Sequence, residues 1–527
     1  MQSMTKSNSS KPVIRQIAWN TVTGWMALVV NGVLSLALVP YLIRALGKEL
    51  YGLSAVTMSI VMVVGLFDLG FHKGISRQLA AAEARNDRKE YENLISSSLL
   101  LLGSISVTLA LLIIVFAESL AHILKIQPQI LSEAVLAIRL LGSISILEQF
   151  ISPIFIGIVT SKNRFDLINV SNPIVSFTRS VLLLAIVVWM NWGFEWWLYI
   201  MAFEYLLRFL SLIAMGHYVD RQWRIRISSF SVSSARSIFS VGGYMFLSQV
   251  SLLLSSKADP LILSRFLGTA AVSLYSPALQ LVSFASPFVQ MLNNQLHPLA
   301  TLFNEQERLA SLRSLLLRGT RYGGLMGTLV CVFLFLYSKE ICWIWLGRSL
   351  PEGWPVVATV LRWVVIFEYT TYLASAQWPV ILGMNRLRFL AATQVPFAIF
   401  NILASIYLVG WTNLGVVGVV IPTAIVGIVR RPILFWYCNK ITLTSWKELW
   451  RESGRPLLIT LIALFAFGLI LRQFYIPNSW FGLVVSGILL GIGWAGLVLL
   501  TARPIDKDLL ATYWNRLRSR MSKDLVV

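Results

Sequence analysis

The chain has 527 residues, of which 57% are hydrophobic and only 13% are charged, and its mean hydropathy is +0.72. Soluble proteins are nearer half apolar and a quarter charged, so this composition excludes a soluble globular enzyme, a disordered protein and a disulfide scaffold. The net charge of +20 raises nucleic-acid binding as an alternative. Membrane proteins concentrate Lys and Arg in their cytoplasmic loops, which explains the surplus better. We therefore predict a chain embedded in lipid, with no nucleic-acid partner.

Fourteen segments are long and apolar enough to cross a bilayer as helices, which takes about 20 residues each. The N-terminus is polar, and the first apolar run is too long for the core of a signal peptide, so we interpret it as a retained first span. Long apolar runs without alternation of period two exclude an outer-membrane barrel. The predicted spans lie near 18–43, 53–71, 94–117, 134–159, 168–190, 195–216, 238–263, 271–297, 319–338, 356–382, 389–410, 414–438, 456–474 and 480–501.

The basic residues lie mostly on one side of these spans. With the N-terminus placed inside, most Lys and Arg residues, including Arg430 and Arg431, fall in cytoplasmic segments. The positive-inside rule then predicts that both termini are cytoplasmic, as an even number of spans requires. All loops are short, so we expect the function to reside among the helices of a multi-pass protein of the cytoplasmic (inner) membrane.

Short motifs recur along the chain at a nearly constant spacing, as in transporters built from duplicated bundles. The recurring pairs are Arg44-Ala-Leu-Gly47 and Arg265-Phe-Leu-Gly268, Pro153 and Pro379, Asn163-Arg164 and Asn385-Arg386, and Pro173 and Pro396. They predict two pseudo-symmetric six-helix bundles that enclose a central cleft. We divide the chain into an N-terminal lobe (1–225), a C-terminal lobe (226–450), two additional transmembrane helices (451–504) and a cytoplasmic basic tail (505–527).

Charged side chains inside spans are costly and by default mark a pathway or a site. Glu204 and Arg208 are four residues apart, so they can neutralise each other on one helical face, and both a structural and a functional role stay open. Lys257 and Asp259 are two residues apart and lie on different sides of a helix. Because Pro260 weakens the helix just there, we expect Lys257 or Asp259 to face a polar cavity.

The first two spans resemble those of a known family. The quoted segments are Pro40-Tyr-Leu-Ile-Arg-Ala-Leu-Gly-Lys-Glu-Leu-Tyr-Gly52 and Gly65-Leu-Phe-Asp-Leu-Gly-Phe71, with Arg77 shortly after. They are similar to the oligosaccharide flippases that move O-antigen and capsule repeat units, the polysaccharide transporter branch of the multidrug/oligosaccharidyl-lipid/polysaccharide exporter superfamily. The similarity covers nearly the whole chain in span count and repeat plan, and it is specific in the first two spans and around 261–275.

The resemblance implies a two-lobe, fourteen-helix, all-α fold with a central cationic cavity that works by alternating access. It implies a polyprenyl-pyrophosphate-linked oligosaccharide as substrate, for O-antigen, capsule or exopolysaccharide biosynthesis. Membrane lipids are further partners, and a polysaccharide polymerase and a chain-length regulator are candidates. By motif, the resemblance implies that Asp68 and Arg77 are functional residues and, more weakly, that Asp259 is one.

We expect binding and ion coupling from the charged residues of the spans, with no catalytic residue, metal or cofactor. Snorkelling at a span end explains Arg77 better than function does, and Cys331, Cys342 and Cys438 form no metal or disulfide pattern. The candidate substrate-binding residues are Arg77, Arg179, Arg208, Lys257, Asp259 and Arg362, and the candidates for ion coupling are Asp68, Glu148, Glu204 and Glu368.

Three questions stay open on the sequence alone. Transport can be driven by an inside-negative potential, worth about 2.3 kcal/mol per charge per 100 mV, or by proton coupling through the acids. A multidrug or cation antiporter of the same superfamily is the main alternative function, although such a protein would favour an acidic, aromatic cavity. A membrane polysaccharide polymerase or glycosyltransferase is a weaker one, because the large loop or domain usual in such enzymes is missing.

Overall fold

The computed structural model describes residues 10–64, 71–221 and 257–501, which are almost entirely helical. Eleven helices within these ranges are long and apolar enough to cross a membrane, which confirms the predicted all-α membrane fold. The count of fourteen spans stays a prediction, because most of the seventh predicted span (238–263) lies outside the described residues. Asp68 and the tail at 505–527 also lie outside them.

The first helix, α1, spans Ser10–Val64 but consists of two helices that meet at Gly47. Gly47 has φ 78° and ψ 171°, a backbone conformation that glycine adopts without steric cost. The break falls between the first two predicted spans. The other helices described before residue 222 are α2 (Phe71–Ala84), α3 (Arg88–Ile123), α4 (Leu131–Ser161), α5 (Phe165–Leu182, continued as a π-helix over Leu183–Trp189) and α6 (Phe194–Val219).

The helices described after residue 256 begin with α7, at 257–267. Pro396 lies inside one of them, the helix at Leu387–Trp411, which is tolerated where neighbouring groups supply partners for the freed backbone carbonyl. They continue as α8 (Thr269–Glu305), α9 (Leu309–Leu336), α10 (Ser338–Leu346), α11 (Trp354–Leu373), α12 (Gln377–Gly383), α13 (Leu387–Trp411), α14 (Val417–Thr442), α15 (Trp446–Leu449, continued as a π-helix over Trp450–Gly454), α16 (Arg455–Phe474) and α17 (Trp480–Thr501).

The helices form two compact units. The first contains the described residues up to Phe284 together with Arg348–Val360 and Leu387–Val426, and the second contains the remaining described residues. In the first unit α4 is central and packs against α2, α3 and α6. Small residues such as Gly142 and Gly157 lie on its buried face, and small residues let membrane helices approach closely.

In the second unit the last two helices are joined to the rest by buried polar contacts. Arg321 on α9 is buried and donates from Nη2 to the carbonyl oxygen of Thr501, at the end of α17, over 2.7 Å. Arg472 on α16 forms an ion pair with the buried Glu340 on α10. Apolar packing of α16 against α9 and α17 is therefore supplemented by charge at both ends of these helices.

Backbone conformation also recurs at the repeated motifs. Residues with positive φ, which only glycine and, to a lesser degree, asparagine adopt readily, occur at matching places in the two halves of the sequence. The pairs are Gly47 (φ 78°) and Gly268 (φ 86°), Asn163 (φ 60°) and Asn385 (φ 54°), and Gly193 (φ 86°) and Gly415 (φ 56°), of which the last two precede α6 and α14. The matching turns favour a duplication, and the lobe boundaries near 225 and 450 stay a prediction.

Candidate functional site

Four of the predicted site residues meet in the first unit. Glu204, buried on α6, accepts hydrogen bonds from Arg179 Nη1 on α5 at 3.2 Å and from Arg208 Nη2, one helical turn further along, at 2.8 Å. Glu148 on α4 accepts from Ser152 Oγ at 3.0 Å and interacts electrostatically with Arg208. We call Arg179, Glu204, Arg208 and Glu148 the Glu204 cluster.

The Glu204 cluster contains as many carboxylates as guanidinium groups. The pairing that the spacing of Glu204 and Arg208 allowed is present, and Arg179 joins it from a neighbouring helix. In a low-dielectric interior, removing one member of such an ion network leaves an uncompensated charge and destabilises the fold. Its geometry therefore suits the locking together of α5 and α6 at least as well as the capture of cargo.

The carboxylate of Asp259 is hydrogen-bonded to a tyrosine hydroxyl and not to its neighbour Lys257. Asp259, on α7, is 2% exposed and accepts a hydrogen bond from the Tyr275 hydroxyl on α8 at 2.6 Å. Lys257 is half-buried two residues earlier and forms no ion pair with any residue that the structure describes. The two side chains thus do not neutralise each other, as their spacing predicts.

Arg77 and Arg362 have different surroundings. Arg77 is exposed on α2. Arg362 on α11 donates from Nε to Ser338 Oγ at 2.7 Å, and its guanidinium lies 5.8 Å from the centre of the Phe335 ring.

Burial raises the pKa of the Cys342 thiol, on α10 outside the candidate spans, to about 12 against the opposing effect of Arg362. The Cys342 thiol is therefore protonated at neutral pH.

Arg430 and Arg431, which we assigned to a cytoplasmic segment, lie inside a membrane-spanning helix, so that assignment is wrong. Both are in the middle of α14, about 16 Å from its C-terminal end at 1.5 Å per residue. The signal was present in the sequence, because the predicted span 414–438 already contains both positions. Apolar residues continue the span past them, which outweighs the tendency of paired arginines to mark a loop. We call these two residues the arginine pair.

The arginine pair has fewer partners than the Glu204 cluster. Arg431 donates from Nη2 to Thr371 Oγ1 on α11 at 2.8 Å and lies 6.0 Å from the centre of the Phe367 ring. Glu368, half-buried on α11, interacts electrostatically with Arg431. Arg430 is 8% exposed, and its Nε and Nη2 atoms have no hydrogen-bond partner among the residues that the structure describes.

The chemistry of the arginine pair suits an anion. Arg431 has one carboxylate nearby, that of Glu368, and Arg430 forms no ion pair with any described residue, which leaves an excess of positive charge within the span. A buried polar group without a partner costs free energy, and a charged group costs more. Guanidinium groups bind phosphate oxygens through paired N–H donors, so a phosphate at this place would supply the missing acceptors.

The sequence matches a family of known proteins over more than half of its length. A model of the family described as "Polysaccharide biosynthesis protein" matches residues 18–300. A Shigella flexneri protein named "Putative O-antigen transporter" is 24% identical over 270 residues, which are 51% of this chain and 62% of that protein. The chain thus matches less than two thirds of the length of this relative.

Two solved structures share the fold. A multidrug resistance MATE family transporter of the MOP superfamily, in an inward-facing conformation, superposes with a TM-score of 0.69 at 15% identity over 80% of this chain and 98% of that one. The lipid II flippase MurJ, in an inward closed conformation, superposes with a TM-score of 0.66 at 14% identity over 91% of this chain and 98% of that one. At these identities the likeness shows a common helical architecture.

Proposed function

Because the chain belongs to the polysaccharide biosynthesis protein family, we propose that it is a flippase for polyprenyl-pyrophosphate-linked oligosaccharide repeat units. The chain is a multi-pass membrane protein, and we place it in the cytoplasmic (inner) membrane with both termini inside. The proposed cycle is alternating access between the lobes at 1–225 and 226–450. The exported units would serve O-antigen, capsule or exopolysaccharide synthesis, with a polymerase and a chain-length regulator as partners and no enzymatic step in this chain.

The observation that carries this proposal is the arginine pair. A pyrophosphate group cannot cross hydrocarbon without compensation of its charge, whereas its polyprenyl tail never has to leave the bilayer. Arg430, buried in mid-helix with unsatisfied guanidinium nitrogens among the described residues, provides compensation within the span. Arg431 adds a second cation next to it, so that the pair matches a doubly charged headgroup.

Glu368 gives the arginine pair a means of coupling to protons. The carboxylate and a cargo phosphate would compete for Arg431, since both are anions and Glu368 already interacts with it. Protonation of Glu368 would free Arg431 for cargo, and cargo release would let the carboxylate return. Asp68, Glu148 and Glu204 remain further candidates for coupling, and Arg77, Arg179, Arg208, Lys257, Asp259 and Arg362 remain candidates for contacts with the rest of the cargo.

Reconstituted vesicles test the proposal directly. We expect the purified chain to move a fluorescent polyprenyl-pyrophosphate-linked oligosaccharide between leaflets, and we expect Arg430→Gln with Arg431→Gln to lose at least nine tenths of that rate. Arg308→Gln, at an exposed position, is the matched control and should transport normally. If the native chain leaves the labelled lipid in its original leaflet, the proposed function is wrong.

The alternative of a multidrug or cation antiporter makes the opposite prediction. A site that concentrates positive charge repels cationic drugs, so we expect vesicles with this chain to show no efflux of a cationic dye under a proton or sodium gradient. In cells, deletion of the gene should cause lipid-linked repeat units to accumulate on the cytoplasmic leaflet. Dye efflux without that accumulation would favour the antiporter.

A further inference from the structure

An apolar groove of about 310 Å³ opens on the surface of the second unit. Its walls come from α9, α11, α14, α15 and the start of α16, and none of its lining residues is charged. Two of the polar side chains in the wall are bonded within the protein: Thr320 Oγ1 accepts from Gln377 Nε2 at 3.1 Å, and the hydroxyls of Tyr369 and Thr328 lie 3.3 Å apart. The groove therefore offers a surface suited to hydrocarbon.

A short π-helix shapes the rim of this groove. Over Trp450–Gly454 the backbone widens to π-helical geometry, which occurs often at functional sites. A methyl group at Gly454 would come within 2.5 Å of the Trp450 ring, so glycine lets the indole lie against the backbone. Ser453 Oγ fixes the segment by donating to the Leu317 carbonyl at 2.7 Å. The position of the Trp450 ring is thus built into the fold.

A stripe of basic residues runs beside the aromatic rim. Lys447, Arg451 and Arg455 are exposed and recur every four residues, which aligns side chains along one side of a helix. Trp446 and Trp450 flank them and are themselves 53% and 54% exposed, as expected of tryptophans at the membrane–water interface. We call Lys447, Arg451 and Arg455 the basic stripe.

Some of this charge is balanced locally. Arg451 forms an ion pair with Glu452, and Glu448 is paired with Arg313 on α9. Lys447 and Arg455 form no ion pair with any residue that the structure describes. The basic stripe therefore keeps a net positive charge next to the open end of an apolar groove. This arrangement is complementary to an anionic amphiphile, which has an apolar tail and a negatively charged headgroup.

We propose that the groove and the basic stripe bind a resident anionic phospholipid of the bilayer, with one acyl chain in the groove and the phosphate on the stripe. Basic clusters at the cytoplasmic end of membrane helices bind anionic headgroups in this way. A cargo lipid fits less well, because a headgroup that crosses the membrane needs charged groups along its path and none of the residues that line the groove is charged. The proposal is independent of the transport function.

Native mass spectrometry of the purified full-length chain tests the headgroup. With phosphatidylglycerol and phosphatidylcholine added in equal amounts, we expect the chain to retain phosphatidylglycerol about tenfold better. Lys447→Gln with Arg451→Gln and Arg455→Gln should abolish that preference. The matched control, Arg85→Gln with Lys89→Gln and Arg308→Gln at other exposed positions, changes the net charge equally and should keep it.

A second pair of variants tests the groove. Leu458 lines it, whereas Ile462, on the same helix and 60% exposed, does not. Leu458→Trp should reduce retained phosphatidylglycerol several-fold, and Ile462→Trp should leave it unchanged, with gel-filtration profiles showing that both variants are folded. Equal retention of the two phospholipids by the native chain, or displacement of phosphatidylglycerol by an equal amount of polyprenyl phosphate, would overturn the proposal.

Discussion

Arg208 and Arg430 occupy corresponding places in the sequence but have opposite surroundings. Each follows, by the same number of residues, the glycine of positive φ that precedes its helix. Arg208 is bonded to Glu204, four residues earlier on α6. The residue four positions before Arg430 is Val426, and two nitrogens of Arg430, Nε and Nη2, lack a hydrogen-bond partner among the described residues, compared with Nε alone in Arg208.

The difference shows how one scaffold position can serve stability in one place and binding in another. An arginine with a carboxylate one turn away is neutralised and holds helices together. The same arginine without that carboxylate has free donors and an unbalanced charge, which favours an external anion. The following changes test whether this contrast is real, beginning with the largest expected effect.

Glu204→Gln should destabilise the protein by about 1.5–3 kcal/mol, because it removes a buried carboxylate that accepts charge-assisted hydrogen bonds from two half-buried guanidinium groups. The measurement is thermal or denaturant unfolding of the purified chain in detergent. Glu118→Gln, at an exposed glutamate, is the control and should have little effect. A Glu204→Gln protein as stable as the native one would show that the Glu204 cluster is not structural.

Arg430→Met should separate stability from transport. Its free energy of unfolding should stay level or rise, because an unpaired buried charge is removed and the apolar volume is largely kept. Transport of the labelled lipid-linked oligosaccharide should fall at least tenfold. If Arg430→Met destabilises the chain as much as Glu204→Gln does, then Arg430 is a structural residue like Arg208 and the contrast fails.

Val426→Glu should convert the arginine pair into a copy of the Glu204 cluster. The new carboxylate, four residues before Arg430, can pair with it on the same helix and compete with an anion. We expect binding of inorganic pyrophosphate to the purified chain, measured by calorimetry, to weaken about fivefold. Val426→Gln adds the same bulk without charge and should bind as the native chain does; equal weakening by both would point to steric effects.

Gly47→Ala and Gly268→Ala should have the smallest effects, and equal ones. Both glycines have positive φ, and a methyl group added at either position would have no atom outside the local backbone within 3.4 Å. The cost is therefore that of the backbone conformation, about 1 kcal/mol each. Unfolding experiments on the two variants would show unequal losses if the two turns are not equivalent.

Sequence patterns predicted the fold well where the physics is local. Long apolar runs indicate membrane helices regardless of their neighbours, and the motif around Gly47 marked the break between the first two spans. Asn163 and Asn385, which the recurring motifs pair, both have positive φ in the structure, a conformation that depends mainly on the residue itself. The spacing of Glu204 and Arg208 likewise determined their pairing within one helix.

Patterns were weaker where partners come from other helices. Nothing in the sequence around Arg179 indicates that its partner lies on α6, since that contact depends on how the helices pack. The positive-inside rule misplaced Arg430 and Arg431 because it treats paired arginines as loop residues, whereas the contacts of Arg431 with Thr371 and Phe367 place it inside the fold. Only the tertiary structure shows whether an arginine is buried within a membrane span or lies in a loop beside it.

The bond from Arg321 to the carbonyl of Thr501 has a consequence for chain length. A version of this protein truncated before α16 would lose the Thr501 carbonyl that accepts from Arg321 and the Arg472 side chain that pairs with Glu340. Neutral residues at both positions should reduce the loss of stability that such a truncation causes. The last two helices, α16 and α17, and the charged residues Arg321 and Glu340 therefore depend on each other.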